Sequence, residues 1–439
     1  CVVAATGDHT YDGFPAISGP PVEPFLHRLH RFLLLWGLCC AGLAAHAQPV
    51  FDIPQNTDSV SLSSELDYVI DVSGRWRPDS GEPAPGAWQP LRERTGKSNF
   101  GFLPHPVWFR AVLRSSSAGD RIWVVNTPQL EQVEWWQVRA GTAALVHEGG
   151  LGPMQTGRVP PQRVPTLSLS LPANETVTVY MRVASSGLMQ VPVDLWQPAV
   201  WQERERRMHV LLGAYFGLLV ALLAYNGFLA LRLRDQAYGH YLCFGLGMGV
   251  FQLSSTGFGP SLLWTAQALW TYPMLGLAST VFGGFSMLFT DSFLRVSRVS
   301  PRLSRVLRAT ALAWVGALLL HAWLPAHAVM SWVSLPLALL TIALIMVAGI
   351  RGWLGGTPAA AYFLLGWTGI VLAVLLRVLL RMGVLPPHPL LYDGMLIASA
   401  TEMLLLSLAL ADRITAERHA RTEADLQRAR EQVAREEAQ

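Results

Sequence analysis

Cysteine is scarce in this chain, which has four cysteines in 439 residues. They stand at Cys1, Cys39, Cys40 and Cys243, so the stretch from Gln48 to Met208 contains none. That stretch therefore cannot be held together by disulfides, and it offers no cysteine-based metal site.

Charge is also scarce, since 14% of the residues are charged and 51% are hydrophobic, with a positive mean hydropathy. This composition excludes a purely soluble protein. Lys97 is the only lysine, and the formal net charge of +3 carries no signature of a nucleic-acid partner, so we expect none.

Seven long apolar segments dominate the second half of the chain. They lie at 210–233, 238–257, 272–290, 309–324, 328–349, 359–380 and 390–411. About 20 apolar residues at a rise of about 1.5 Å cross a hydrocarbon core of about 30 Å. Membrane helices tolerate interruptions such as Gly245, Gly247, Gly249 and Pro336. We predict a seven-helix bundle over residues 207–411, with the lipid bilayer as its partner.

The first 47 residues carry an export pattern. A basic stretch at 27–31 precedes an apolar one at 32–43, and Ala45-His46-Ala47 has the small-x-small form of a cleavage site. We predict a signal peptide and upstream residues over 1–47, cleaved after Ala47. An uncleaved anchor is the alternative, and both export the next domain.

Residues 48–200 have a different texture, with short alternating runs between turns rich in Gly and Pro. The runs lie at 66–72, 107–113, 122–125, 133–138, 166–171, 177–183 and 191–196. Regular short strands with such turns are typical of an antiparallel β-sandwich. We therefore predict an exported, all-β sensor domain here.

Tryptophans are the only binding signal in that domain, because indole faces stack on sugar rings and other flat ligands. The aromatic set is Trp76, Trp88, Trp108, Phe109, Trp123, Trp135, Trp136 and Trp196. We take Trp108, Trp135 and Trp136 as candidate ligand contacts. Alternating aromatics that fill the core are the alternative. Neighbours on a strand face opposite sides, so one of Trp135 and Trp136 is expected to point away from the core.

Glu402, in the middle of the seventh span, and Arg377, toward the outer end of the sixth, are the candidate charges inside the membrane. A charge at membrane depth costs several kcal/mol and usually faces a partner or a cavity. An ion pair between the two, a switch or ligand contact, and no contact at all remain open. The histidines of the bundle lack metal spacing. We expect no catalytic residues, no metal site and no cofactor.

Arginines mark the loops after the first, third and fifth spans, whereas the loops after the second and fourth have neither Lys nor Arg. Basic loops stay in the cytoplasm. This pattern places the amino-terminal domain outside the cell membrane and the carboxyl terminus in the cytoplasm.

Residues 412–439 contain no Gly or Pro and many Glu, Arg and Ala, which predicts a helix continuous with the seventh span. Leu426 and Val433 are one heptad apart. A solvated charged helix is one interpretation. The other, which we favour, is the start of a parallel coiled coil that makes the protein a homodimer.

Several stretches resemble the bacterial seven-transmembrane receptors with diverse intracellular signalling modules and the second type of extracellular domain of that family. In the bundle they are 213–219 (GAYFGLL), Tyr225-Asn226, 231–238 (LRLRDQAY), Tyr241, 249–252 (GVFQ) and 408–414 (LALADRI). In the outer domain they are 99–102 (NFGF), 107–110 (VWFR), 179–183 (VYMRV) and 194–196 (DLW).

The resemblance implies a receptor of the bacterial inner membrane. A periplasmic jelly-roll sandwich would bind a small molecule or glycan, and seven helices would pass the signal to an output such as a histidine kinase or diguanylate cyclase. No kinase or cyclase motif fits after Ala411, so we expect no enzyme activity in this chain and a cytoplasmic signalling partner or further domain. A transporter or channel is the alternative, although no polar path is evident; an intramembrane enzyme is a third.

Overall fold

The structure is a computed structural model that describes residues 50–55, 57–80, 84–94, 98–139, 142–152, 162–264, 271–320, 323–324, 326–357, 359–381, 385 and 389–437. The predicted signal peptide lies outside these residues.

The first part of the described chain is built from β-strands. They are β1 (Phe51–Ile53), β2 (Ser59–Ser61), β3 (Asp67–Ile70), β4 (Gln89–Pro90), β5 (Asn99–Gly101), β6 (Val107–Ser115), β7 (Gly119–Val125), β8 (Gln132–Arg139), β9 (Thr142–Gly149), β10 (Thr166–Leu171), β11 (Thr176–Ala184), β12 (Met189–Gln190) and β13 (Val193–Trp196). A short 3-10 turn, Leu91–Glu93, follows β4.

Two antiparallel sheets form a sandwich, which confirms the predicted fold. The larger sheet has the order β4-β3-β6-β11-β8-β9, with β1 parallel to the end of β6, and the smaller has the order β10-β7-β13-β2. Strands β12 and β5 pair separately. Because side chains alternate along a strand, each sheet turns one apolar face inward. The shared core includes Phe109 and Trp135 from the larger sheet and Trp123 and Leu195 from the smaller.

Helices begin directly after the sandwich. The long ones are α1 (Pro198–Leu233), α2 (Gln236–Ser255), α3 (Thr271–Phe293), α4 (Pro301–Leu320), α5 (Leu335–Leu354), α6 (Ala359–Arg381) and α7 (Pro389–Glu437). Shorter helical segments are Phe258–Leu262, Val296–Val299, Ala326–Val329 and the π-helical Met330–Ser334, which leads into α5. Helix α7 runs unbroken past residue 411, so the predicted continuity with the tail is confirmed.

Of the seven long helices in the described part of the chain, six are long and apolar enough to cross a membrane, and α2 is not. Its position explains this difference. A Cβ atom at Gly247 would lie 2.6 Å from the backbone nitrogen of Phe282 in α3, and one at Gly245 would lie 2.6 Å from Cε of Met403 in α7. Small residues let helices approach this closely. Half of the residues of α2 are buried against its neighbours, although Leu246 is exposed, so α2 needs less apolar surface for lipid than a helix at the outside of the bundle.

Charged residues extend two of the helices beyond their apolar spans. The sequence predicts a fourth span at 309–324, but α4 begins at Pro301, because charged residues extend the helix beyond its apolar part. Arg308 of that extension contacts Asp291, with Nε 2.8 Å from Oδ2. Likewise the charged stretch 203–207 belongs to α1, and Glu203 pairs there with both Arg206 and Arg207. Hydropathy marks the apolar length of a helix and not its ends.

Candidate functional site

The larger sheet has a second buried layer on the face turned away from the smaller sheet. Trp108 of β6 stands opposite Arg182 of β11, and Tyr180 of β11 stands opposite both Arg110 and Trp136. Strand register therefore places these side chains together on one face. With Trp76 and Trp88, which precede β4, the aromatic residues form what we call the outer aromatic face: Trp76, Trp88, Trp108, Trp136 and Tyr180.

Asp71 positions Trp76 over this face. The fully buried carboxylate of Asp71 accepts hydrogen bonds from the backbone N–H of Gly74 and the hydroxyl of Ser73 through Oδ1, and from the backbone N–H of Trp76 through Oδ2. Gly74 has φ +68°, a conformation that glycine adopts at no steric cost. The resulting tight turn at the end of β3 directs the Trp76 ring back onto the sheet.

The rings of the outer aromatic face pack mainly edge to face. Trp76 lies 4.9 Å from Trp108 at 82° and 6.1 Å from Trp88 at 71°, measured between ring centroids and planes. Trp88 lies 5.8 Å from Tyr180. Trp76, Trp108 and Trp136 are buried, whereas Trp88 and Tyr180 are half-buried. The two half-buried rings are therefore the part of the face that a ligand reaches first.

Charged groups frame the rings. The guanidinium of Arg110 lies 4.4 Å from the Trp88 ring centroid, and its Nη2 donates to Oδ2 of Asp67 at 3.0 Å. Arg182 donates to Oε1 of Glu134 at 2.7 Å. Such paired charges hold arginines at fixed positions beside the aromatic rings. The indole N–H groups of Trp108 and Trp136 have no acceptor among the described residues. The face thus combines a stacking surface with charged groups, and the two unpaired indole N–H groups are buried beneath that surface.

The three tryptophans singled out from the sequence do not lie together. Trp135 is fully buried in the core between the sheets, whereas Trp108 and Trp136 belong to the outer aromatic face. Adjacent Trp135 and Trp136 do face opposite sides, but both are buried. Tyr180 and Arg110 were not recognised from the sequence. The alternation of 179–183 (VYMRV) was the available signal.

A separate cavity of about 570 Å³ lies where β10, β11, β7 and β8 meet, lined by residues that include Asp120, Gln137 and Glu175. Its lining contains no aromatic ring and no arginine or lysine. The outer aromatic face therefore offers the stronger recognition chemistry, although it is not a closed cavity.

An arginine of the sandwich, Arg163, binds two helices of the bundle. Arg163, just before β10, donates from Nε to Glu205 of α1 at 2.8 Å, and from Nη1 to the carbonyl of Thr256, which follows α2, at 3.2 Å. Trp201 of α1 packs beside these contacts against Val124 and Val164. A largely buried bidentate ion pair of this kind fixes orientation as well as contributing energy.

Inside the bundle, hydrogen bonds connect α7 to α1 and α2. Asn226 donates to the hydroxyl of Ser407 at 2.8 Å, and the Tyr241 hydroxyl donates to the carbonyl of Met403 at 2.8 Å. At the end of the bundle away from the sandwich, Arg413 of α7 donates to the carbonyls of Ser292 and Phe293 at 3.2 Å. Helix α7 is thus fixed to its neighbours at several levels.

The ion pair between Arg377 and Glu402 is not formed among the described residues. Both carboxylate oxygens of Glu402 are buried without a hydrogen-bond partner there, and Arg377 is exposed. Gly366 is the residue of α6 that packs against Glu402, since a Cβ at Gly366 would lie 3.4 Å from the Cα of Glu402. Arg377 is eleven residues further along α6, roughly 16 Å at helical rise, so its depth in the bundle differs too much for contact.

No group of three or more His, Cys, Asp or Glu side chains within the described ranges is arranged to hold a metal ion.

No curated protein matches the chain. Residues 208–413 match the family model for the 7TM diverse intracellular signalling domain. Residues 63–197 match that for the 7TMR-DISM extracellular 2 domain. Both are domains of membrane receptors and not of enzymes. An external sandwich is thus followed by a multi-pass helical bundle, and the chain belongs to the seven-transmembrane receptors with diverse intracellular signalling modules.

Proposed function

We propose that this receptor binds a carbohydrate-like ligand in the periplasm on the outer aromatic face and transmits the signal through the seven helices to a cytoplasmic output. The observation that carries the proposal is the pair of half-buried rings, Trp88 and Tyr180, with Arg110 beside them. Apolar ring faces next to fixed hydrogen-bonding groups match the alternating C–H and O–H surfaces of a sugar.

The contacts of Arg163 support transmission into the bundle, because this one residue binds both α1 and the end of α2. Helix α2 in turn donates to α7 through Tyr241. A ligand shifts such a system only if it binds two arrangements with different affinity, and a coupling of about 1–3 kcal/mol is sufficient. We propose that the two arrangements differ in the position of α7 relative to α1 and α2.

Charge supports an inner-membrane orientation with the carboxyl terminus in the cytoplasm. Arg232, Arg234 and the arginines of the segment between α3 and α4 lie at the end of the bundle where Arg413 contacts Asp235, opposite the sandwich. Basic residues mark the cytoplasmic end of membrane helices. Trp323 and Trp332, at the other end, are strongly exposed, as expected of side chains at a membrane interface.

A homodimer through the tail is part of the same proposal, supported by Leu426, an exposed leucine on the charged part of α7. Two halves of a split cytosolic reporter, fused to the last residue of two copies, should complement each other in cells. An intact reporter at the same position controls for orientation. An active intact reporter with no complementation would refute the dimer, and an intact reporter exposed in the periplasm would refute the orientation.

Ligand binding is tested with the full chain in lipid nanodiscs, titrated calorimetrically with a panel of mono- and oligosaccharides. We expect Trp88→Ala to weaken binding of the responding sugar by about tenfold, which corresponds to about 1.4 kcal/mol, because the substitution removes a ring face on which the sugar stacks.

Trp196 provides the matched control, since it is also half-buried and also carries an arginine, with the Arg204 guanidinium 5.2 Å from its ring centroid. It lies on the smaller sheet, at the junction with α1, so Trp196→Ala should leave the affinity unchanged. The proposal fails if no sugar binds at millimolar concentration, or if the two variants weaken binding equally.

A further inference from the structure

Glu402 is an unexplained group in the bundle. It is fully buried on α7, and neither carboxylate oxygen has a hydrogen-bond partner among the described residues. Buried carboxylates in proteins are usually paired with a cation or accept several hydrogen bonds. Glu402 accepts no hydrogen bond within the part of the chain that the structure describes.

Three helices pack around this part of α7. Helix α6 presents Gly366, which brings no polar side chain. Helix α1 presents Tyr215, whose hydroxyl accepts a hydrogen bond from the Ser399 hydroxyl. Helix α2 presents Tyr241, whose hydroxyl donates a hydrogen bond to the carbonyl of Met403. Tyr215 and Tyr241 are the titratable side chains that α1 and α2 bring near Glu402. Neither hydroxyl is hydrogen-bonded to the carboxyl group of Glu402.

A charged carboxylate in this environment would lose its hydration and gain no donor in return, at a cost of several kcal/mol. A neutral carboxylic acid avoids most of that cost. We propose that Glu402 is a proton-binding site, neutral in this arrangement of the bundle, and that loss of the proton separates α7 from α6.

The close contact with Gly366 explains the second part of the proposal. A Cβ at Gly366 would lie 3.4 Å from both the Cα and the Cγ of Glu402, so α6 packs directly on this residue, and the side chain of Glu402 is fully buried. An ionised Glu402 requires water or a cation, and either one requires space between α6 and α7. The site is independent of any ligand on the sandwich, so it can be tested separately.

The test is infrared spectroscopy of the full chain in nanodiscs, in the C=O stretching region of protonated carboxylic acids. At neutral pH the wild type should show such a band, because exposed carboxyl groups, with pKa values of about 4, are ionised. We expect Glu402→Gln to lose the band and Glu402→Asp to shift it. Glu175→Gln, which changes an exposed carboxyl group in the turn before β11, should leave the band intact.

Repeating the spectrum with and without Na⁺ and K⁺ distinguishes a proton from a metal cation. A band that appears only after these ions are removed would show that a cation occupies the site, and would overturn the proposal. Identical spectra for the wild type and Glu402→Gln would overturn it as well. If the Gln variant does not fold, the band in the wild type and its shift in Glu402→Asp still decide the question.

Discussion

The two faces of the larger sheet are made by the same strands, yet they bury different kinds of side chain. The inner face carries Phe109, Trp135 and Val179, packed against the smaller sheet with no exposed surface. The outer face carries Trp108 and Trp136 among arginines and carboxylates. A second sheet covers one face, whereas the other is covered in part by the turn that follows β3.

This difference teaches that burial alone does not separate structural aromatics from binding ones. Trp135 and Trp136 are neighbours in sequence and both are buried. The two rings differ in what covers them. Trp136 lies on the face covered by the turn that Asp71 holds, and Trp135 lies under the smaller sheet. Opening the turn costs less free energy than separating two sheets packed over a continuous core. The nearby charges differ too, since the ion pair between Arg182 and Glu134 lies on the outer face beside its rings.

Trp135→Ala is the strongest test of this comparison. Removing a fully buried indole from the inner face should destabilise the sandwich by about 3–5 kcal/mol. Trp88→Ala on the outer face should cost much less, because its ring is half-buried and water reaches the site. Pulse proteolysis of the full chain in increasing urea measures both changes on the outer domain.

Similar losses of stability for Trp135→Ala and Trp88→Ala would contradict the conclusion that the inner face is a structural core and the outer face is not. A stable Trp135→Ala domain with impaired ligand binding would reverse it, and would return Trp135 to the role of ligand contact predicted from the sequence.

Much of this fold was predictable from the sequence, because apolar periodicity reflects burial directly. The alternation of 107–113 and 177–183 marks β6 and β11, which lie at the centre of the larger sheet. Strand β9 was missed because it is an edge strand, and its exposed positions include apolar Ala144 and Val146. Those residues remove the polar-apolar contrast that identifies a strand.

The candidate site was predictable only in part. The opposite orientation of Trp135 and Trp136 follows from the pleat of a strand. The residues that each ring contacts depend on the register between strands. Arg110 meets Trp88 across the sheet, and a single sequence gives no measure of that distance. Similarly, Glu402 and Arg377 could be placed in their spans, but their relative depth depends on how α6 and α7 pack.

The smallest expected effect is a pH dependence of stability at the edge of the inner face. His147 of β9 stacks on Trp135, with ring centroids 5.6 Å apart, and burial lowers its pKa from the ordinary 6.5 despite the nearby charge of Glu148. As the pH falls below that ordinary value, the unfolded chain takes up a proton at this imidazole while the folded sandwich does not. Stability is therefore fully present above pH 6.5 and decreases as the pH falls, until the folded imidazole is protonated too.

His147→Asn should remove this loss, so the difference in urea midpoint between the variant and the wild type should change between pH 7 and pH 5. Taking the difference is necessary because Asp194 acts in the opposite direction. Burial raises the pKa of Asp194, so its contribution to stability falls as the pH rises, and it does so equally in both proteins. A pH-independent difference would mean that His147 is solvated when folded, and that the inner face is less closed at this edge than its contacts indicate.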